Sequence, residues 1–438
     1  MSLQSIHTLD LGHAWGGNSV NALLFSQNLV SRHHFQYAAF YTPKKELVIV
    51  QRNLKQNQMT KTVIDHVPTL HDAHFSISLG IDCKGFLHIS YAQHMSQLVY
   101  RRTTAPHQPE TFGPMKPMTG HQEKPVTYPF FLFPNQDDED GFFFIYRRGG
   151  SDYGEVLLKV YDIHSQTWSD LPQPILTGMT QKPWTSGPYL QRPLLDQKGN
   201  IHLLNTWRTH SIGDSKRINN INLDYLTSPD GGKHWFTSTG QPLQLPVTQV
   251  NSETIVPIGP GANLMNQSGA TLDNHGNPLS VYYANDSFGI PQYQLIRHQP
   301  ELQAQSNLQA NIPLPMVHSK WINTLVSQRT QAFHLEGIGT LKLPISRPDV
   351  VVLPDNTPLM IYRAEETQQC LVAKNLTTQV EYPLSPPVGD AEPVIDHHRW
   401  QRDGVLSMLI LHCEQGHQEG FPPIKASSIS ISEWRYRS

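Results

Sequence analysis

Hydrophobic and polar positions alternate with a period of two in short runs along this chain, and each run follows a polar turn. Thr42-Pro-Lys-Lys precedes Glu46–Arg52, Asp82-Cys-Lys-Gly precedes Phe86–Tyr91, Asp140-Gly precedes Phe142–Arg147, and Asp196-Gln-Lys-Gly precedes Asn200–Leu204. Three further copies follow: Asp273-Asn-His-Gly before Asn277–Tyr283, Asp355-Asn-Thr before Pro358–Arg363, and Asp403-Gly before Val405–Ile410. Turn residues joined to period-two strands are the signal of a β-hairpin. A unit recurring seven times at intervals of about 40 to 80 residues predicts a propeller or an array rather than one thick core. Four strands with their loops take about 40–50 residues per blade, so the pattern predicts an all-β, seven-bladed β-propeller occupying residues 1–438 as a single domain.

Composition narrows the class. At 438 residues the chain exceeds what one ordinary core supports, which a radial repeat accommodates. Hydrophobic residues at 38% against 16% charged fit a globular chain, and 34 prolines with 29 glycines suit a loop-rich β protein. Apolar runs such as Phe142–Tyr146 and Val350–Leu353 have strand length and fall well short of the ~18 residues that span a bilayer. A net charge of −3 lacks the basic footprint of a nucleic-acid binder. Cys83, Cys370 and Cys413 form neither a disulfide framework nor a zinc signature. Met1–His13 shows no basic segment leading into an apolar one, which fits a cytoplasmic chain or a mature secreted one. No nucleic acid and no membrane partner is expected, and a monomer is.

One turn is more specific. Ser228-Pro-Asp-Gly-Gly-Lys-His-Trp235 satisfies Ser-x-Asp-x-Gly-x-x-Trp, the Asp box of sialidase-type propellers, with a weaker relative in Tyr161–Trp168. It is a folding device and says nothing by itself about chemistry.

Chemistry in a propeller is built from strand ends of several blades on one face. Four stretches fit: His71-Asp72-Ala73-His74 before the second repeat strand, Tyr91-Ala-Gln-His94 after it, Thr127-Tyr128-Pro129 opening the next blade, and Tyr146-Arg147-Arg148-Gly149 ending its strand. Each residue type alone is more often structural or solvated than catalytic; their succession in consecutive blades is what singles them out. His71-x-x-His74 with Asp72 also allows a metal site, although it lacks a third ligand at tetrahedral spacing.

These residues resemble the BNR-repeat propeller family that contains the ulvan lyases, polysaccharide lyase families twenty-four and twenty-five. The family's histidine motif before a strand is similar to His71–Phe75, its second histidine to His94, and its Thr-Tyr-Pro to Thr127-Tyr128-Pro129. Its Tyr-Arg-x-Gly is similar to Tyr146–Gly149, and its later Trp-Arg, Asn-Gln and Arg-Pro pairs to Trp207-Arg208, Asn266-Gln267 and Arg347-Pro348. The chain departs from the family at Phe75, where Asn is usual, and at Tyr91-Ala92-Gln93.

The resemblance implies eliminative cleavage beside a uronic acid. Removing the C5 proton puts a second negative charge next to a carboxylate, which a bidentate Arg neutralises. A base of near-neutral pKa takes the proton and an acid protonates the leaving C4 oxygen. On this reading His74 is the base, Tyr128 the acid and Arg147 the neutraliser, with His94 assisting His74 or holding substrate. Arg208, Arg347, His71 and Asn220 would contact the anionic chain. A variant makes Tyr128 both base and acid. No cofactor is required, and a structural metal ion stays an alternative. The competing readings are a sialidase-like or rhamnose-releasing propeller glycosidase and a non-catalytic carbohydrate-binding propeller. Against the sialidase stand the single clear Asp box and the late position of Arg192-Pro193 and Arg347-Pro348.

Overall fold

The structure, a computed structural model, describes residues 2–16, 27–70, 72–136, 141–180, 183–300, 319–336, 343–414 and 425–437. Its strands form antiparallel sheets that follow one another in chain order, and each of the seven repeat strands lies in a different sheet. The first holds Leu29–Arg32, Phe35–Tyr41, Glu46–Asn53 and Gln58–His66; the second holds Ile77–Ile81, Leu87–Tyr91 and Arg101–Arg102. The third runs from Val126–Leu132 through Phe142–Gly149 and Gly154–Asp162 to Thr167–Asp170, and the fourth centres on Gly187–Leu190, Ile201–Arg208 and Asn220–Ser228.

Alternation is legible in the packing. In Phe35–Tyr41, Ala38 and Phe40 join one apolar cluster with Val351 and Leu409, while Tyr37, Ala39 and Tyr41 join another with Phe131 and Phe144. Both faces of the strand are therefore buried against neighbouring sheets, as a blade between two blades requires. The ring closes where Ser2–Trp15 pairs with Ala426–Arg437. Polar side chains seal that seam: Arg52 Nη1 donates to Glu433 Oε1 at 2.7 Å, and Gln36 Nε2 donates to Asp396 Oδ2 at 2.8 Å. Asp396 also caps the single α-helix among the described residues, His397–Asp403, by accepting from Arg399 N.

The all-β propeller expected from the sequence is what the chain forms. The expectation of seven four-stranded blades is corrected to six blades. Among the described residues, five sheets carry four strands or more, whereas the sheet of Ile77–Arg102 and the closing sheet carry three, and the fourth sheet gathers seven strands. The hairpin cue marks one paired strand in each sheet but is silent on how many strands that sheet gathers.

The Asp box is a turn, as expected. Asp230 Oδ1 accepts from Ser228 Oγ and from the backbone N–H of Lys233 and His234, and Trp235 Nε1 donates to Gly232 O at 2.9 Å. Gly232 has φ +92°, and a Cβ there would collide with Leu158 of the preceding blade.

Candidate functional site

In an antiparallel pair the start of the first strand lies beside the end of the second, so side chains from both meet at one end of the sheet. Tyr128 and Arg147 meet there in the third sheet, Tyr189 and Arg208 in the fourth. A register shift sets Tyr128 and Pro129 opposite the single residue Tyr146, a β-bulge on the first strand, and the φ of +57° at Tyr128 turns it out of the regular ladder. Bulges re-aim side chains in this way next to functional sites. The neighbouring hairpin packs its Ser151 carbonyl against Gly187, where a Cβ would collide, and this brings the strand bearing Tyr189 against Arg147.

The Arg147 guanidinium, 4% exposed as a residue, lies 4.9 Å from the Tyr128 ring centre and 4.5 Å from that of Tyr189. Its Nε and Nη1 are buried and meet no hydrogen-bond partner among the described residues. Arg208 lies 4.4 Å from the Tyr189 ring centre and donates to Tyr189 Oη at 3.2 Å, to Asn220 Oδ1 at 2.9 Å and to Asn266 Oδ1 at 2.5 Å. Asn220 is fixed in turn by donating to Leu264 O and Asn266 Oδ1. Arg347 reaches Gln267 Oε1 at 3.3 Å but carries its own counter-ion, with Nε 3.2 Å from Glu392 Oε1.

These cations set the two tyrosines apart. Burial raises the Tyr128 hydroxyl above the ordinary phenol value, a rise that Tyr189 reinforces and that Arg147, Arg208 and Arg347 only moderate. Burial works in the same direction on Tyr189, but Arg147 and Arg208 outweigh it and hold that hydroxyl below the ordinary value. Paired titratable groups driven in opposite directions are the usual mark of an acid and a base in one site.

The histidines form a second group beside the first. Nδ1 of His74 lies 2.9 Å from Asp72 Oδ1, and Nδ1 of His94 lies 2.7 Å from Asp72 Oδ2. The two rings stack with centres 4.2 Å apart. The groups adjoin through the backbone: Met95 N, next after His94, donates to Thr127 Oγ1, next before Tyr128. Burial would raise the Asp72 carboxyl, but the bonds from both histidines hold it far below the usual range. Among the described residues, Asp72, His74 and His94 are the one trio of potential metal ligands close enough to share an ion. Their N–O spacings are those of charge-assisted hydrogen bonds, shorter than the ~3.3 Å separating ligands held at about 2.0–2.1 Å around a tetrahedral ion. The donor spacing does not fit a metal as it stands.

Tyr128, Arg147, Arg208, Asn220 and Arg347 thus converge, and His74 and His94 pair beside them. His71 lies outside the described residues. Tyr189 and the bridging role of Asp72 were not singled out from the sequence. Tyr189 sits in the same slot as Tyr128, near the start of a first strand and next to a proline, and that recurrence could have found it.

A family model described as BNR repeat-containing family member matches residues 35–307. The chain belongs to this family. No curated protein sequence matches it. Among solved structures it is similar to a polysaccharide lyase, the PL25 ulvan lyase, at 13% identity and a TM-score of 0.65, covering 97% of this chain and 95% of that one. The same figures hold for that lyase bound to -[GlcA(1-4)Rha3S]-. A Penicillium chrysogenum α-L-arabinanase complexed with arabinobiose aligns at 14% identity and a TM-score of 0.46, covering 84% and 94%. At these identities the likeness is one of fold.

Proposed function

We propose that this BNR-family propeller is a carbohydrate-active enzyme, a polysaccharide lyase that cleaves a uronate-containing chain by β-elimination. One observation carries the reading: a buried guanidinium, Arg147, held between two tyrosines with two N–H-bearing nitrogens left without a protein partner. A buried unpaired cation is costly unless an anion completes it, and a planar carboxylate matches its fork. Arg208 and Arg347 extend the positive surface along which an acidic polysaccharide would lie.

In the reaction, Arg147 stabilises the second negative charge as Nε2 of His74 takes the C5 proton. The C4–O bond then breaks as the C4=C5 bond forms, and the Tyr128 hydroxyl, which its surroundings keep protonated, gives its proton to the departing oxygen. The resting state returns when the imidazolium sheds its proton and Tyr128 regains one. The lowered hydroxyl of Tyr189 favours a second assignment, with Tyr189 as base and the histidines holding the sugar. A hydrolase reading is less well served. Such enzymes place two carboxyl groups about 5–9.5 Å apart across the scissile bond, whereas Asp72 is spent on two imidazoles and Glu392 on Arg347.

Incubation with uronate polysaccharides such as ulvan tests the reading. A lyase produces new ultraviolet absorbance from the conjugated unsaturated uronate, and new reducing ends without that absorbance would assign a hydrolase instead.

A further inference from the structure

The Asp72–His74–His94 cluster holds more information than a pair of candidate bases. Asp72 presents one carboxylate oxygen to each ring, and a carboxyl of ordinary pKa, about 3.9, is ionised at neutral pH. An ionised carboxylate only accepts hydrogen bonds, so a nitrogen bonded to it must carry a proton. Both contacts are made by Nδ1, one to each oxygen. In its neutral form each imidazole is therefore the Nδ1–H tautomer, with Nε2 on the ring edge away from Asp72. The carboxylate is itself fixed, because its Oδ1 also accepts from the backbone N–H of His74 at 2.8 Å, closing a tight Asx turn.

We infer that Asp72 is the positioning residue of this site, one carboxylate that sets the tautomer and orientation of two stacked imidazoles at once. This rests on the lyase reading for its consequence but not for its geometry. When a histidine accepts the substrate proton at Nε2, the imidazolium so formed already donates through Nδ1 to a negative charge. The second imidazole, stacked at 4.2 Å, keeps its own Nδ1–H on the other oxygen of Asp72 and presents Nε2 toward a sugar hydroxyl. The same partner that orients the base thus stabilises its charged form, as outer-shell carboxylates do for catalytic and metal-bound histidines.

Asp72→Asn separates this role from folding, because Asn keeps the Oδ1 that closes the turn. Its amide can accept from one Nδ1–H but offers only N–H to the other ring, which must become the Nε2–H tautomer. Nitrogen-15 NMR of the imidazoles in the intact chain, at a pH where both are neutral, should show two Nδ1–H rings in the wild type and one of each in Asp72→Asn. On a uronate polysaccharide the variant should lose about ten- to a hundredfold in kcat with KM changed less than about threefold, and Asp72→Glu should recover part of the loss. Two Nδ1–H rings persisting in a folded Asp72→Asn protein would overturn the inference. So would a stoichiometric metal ion whose chelation abolishes the wild-type spectrum. Absence of eliminase activity in the wild type would sink the lyase reading alone and leave the NMR result to decide the role of Asp72.

Discussion

The two faces of the ring differ in what their polar groups are free to do. On one, the turns joining first to second strands surround a cavity of about 770 Å³ lined by Asn135, Asp196, Lys198, Asp273, His275 and Trp400, among others. Its carboxylates are spent on neighbouring groups of the protein, Asp403 on Arg399 and Arg402 and the other two on their own turns. Asp196 Oδ1 accepts from the N–H of Lys198 and Asn200, and Asp273 Oδ1 accepts from those of His275 and Asn277. On the other face, a guanidinium is buried with nitrogens unsatisfied, and two tyrosines are driven apart in acidity. Space alone does not locate chemistry; groups held in place without a partner do, because folding leaves such groups only where something else completes them.

The largest effects should come from the second face. Arg147→Ala removes the cation that meets the developing charge and should cut kcat/KM on a uronate polysaccharide by at least about a hundredfold, some 3 kcal/mol of transition-state stabilisation. Arg147→Lys should recover only part, because an ammonium has no fork. A matched change on the first face, Lys198→Ala, should leave turnover within about twofold. Equal losses from both changes would erase the contrast between the faces.

Next in size is the tyrosine pair. Tyr128→Phe keeps the ring under Arg147 and deletes the proton donor, so turnover should fall by about a hundredfold while KM stays close to its wild-type value. Tyr189→Phe also removes the acceptor of the bond from Arg208 and should raise KM as well. A loss confined to kcat in Tyr189→Phe, with His74→Asn nearly active, would move the base from His74 to Tyr189.

The first face and the scaffold were the legible part of the sequence. Asp-x-x-Gly turns and period-two runs are local signals, and Asp82, Asp196 and Asp273 each cap the backbone two and four residues on, as that spacing demands. The site was legible where a residue type is chemically distinctive and lies at a strand end: His74, His94, Tyr128 and Arg147. Tyr189 shares only the weak local cue of a tyrosine beside a proline, and its importance comes from Arg147, Arg208 and the close approach at Gly187, contacts remote in sequence. The strand count escaped for a similar reason, since outer-strand pairing depends on what each loop happens to cover.

A smaller effect, on stability alone, is expected at the Asp box. Gly232→Ala forces φ +92° on a residue with a Cβ and drives that carbon into Leu158, so it should cost about 2 kcal/mol in unfolding free energy. Activity per folded molecule should be unchanged, since the contact lies between blades and away from Arg147. Denaturant unfolding read beside turnover checks both halves, and a loss of kcat without loss of stability would tie the box to the site.

The smallest effect belongs to Asp196, and its sign with pH is fixed by its surroundings. Burial alone would raise its carboxyl, but the bonds from His202 and from the Asn200 backbone and side chain outweigh that and hold it at about 2 against an ordinary 3.8. A folded-state pKa below the unfolded one contributes stability that is fully present above about pH 4 and is lost as pH falls through about 2. The carboxylate is partly solvated, so screening reduces the contribution to roughly 1 kcal/mol. Asp196→Asn keeps a hydrogen-bond acceptor for the turn and removes the charge. It should lower unfolding free energy by about that amount at pH 6, converge on the wild type near pH 2, and leave turnover untouched at both the arginines and the tyrosines. A pH-independent gap between the two proteins would mean that the turn, and not the charge, is what Asp196 supplies, and the first face would then owe its stability to backbone geometry alone.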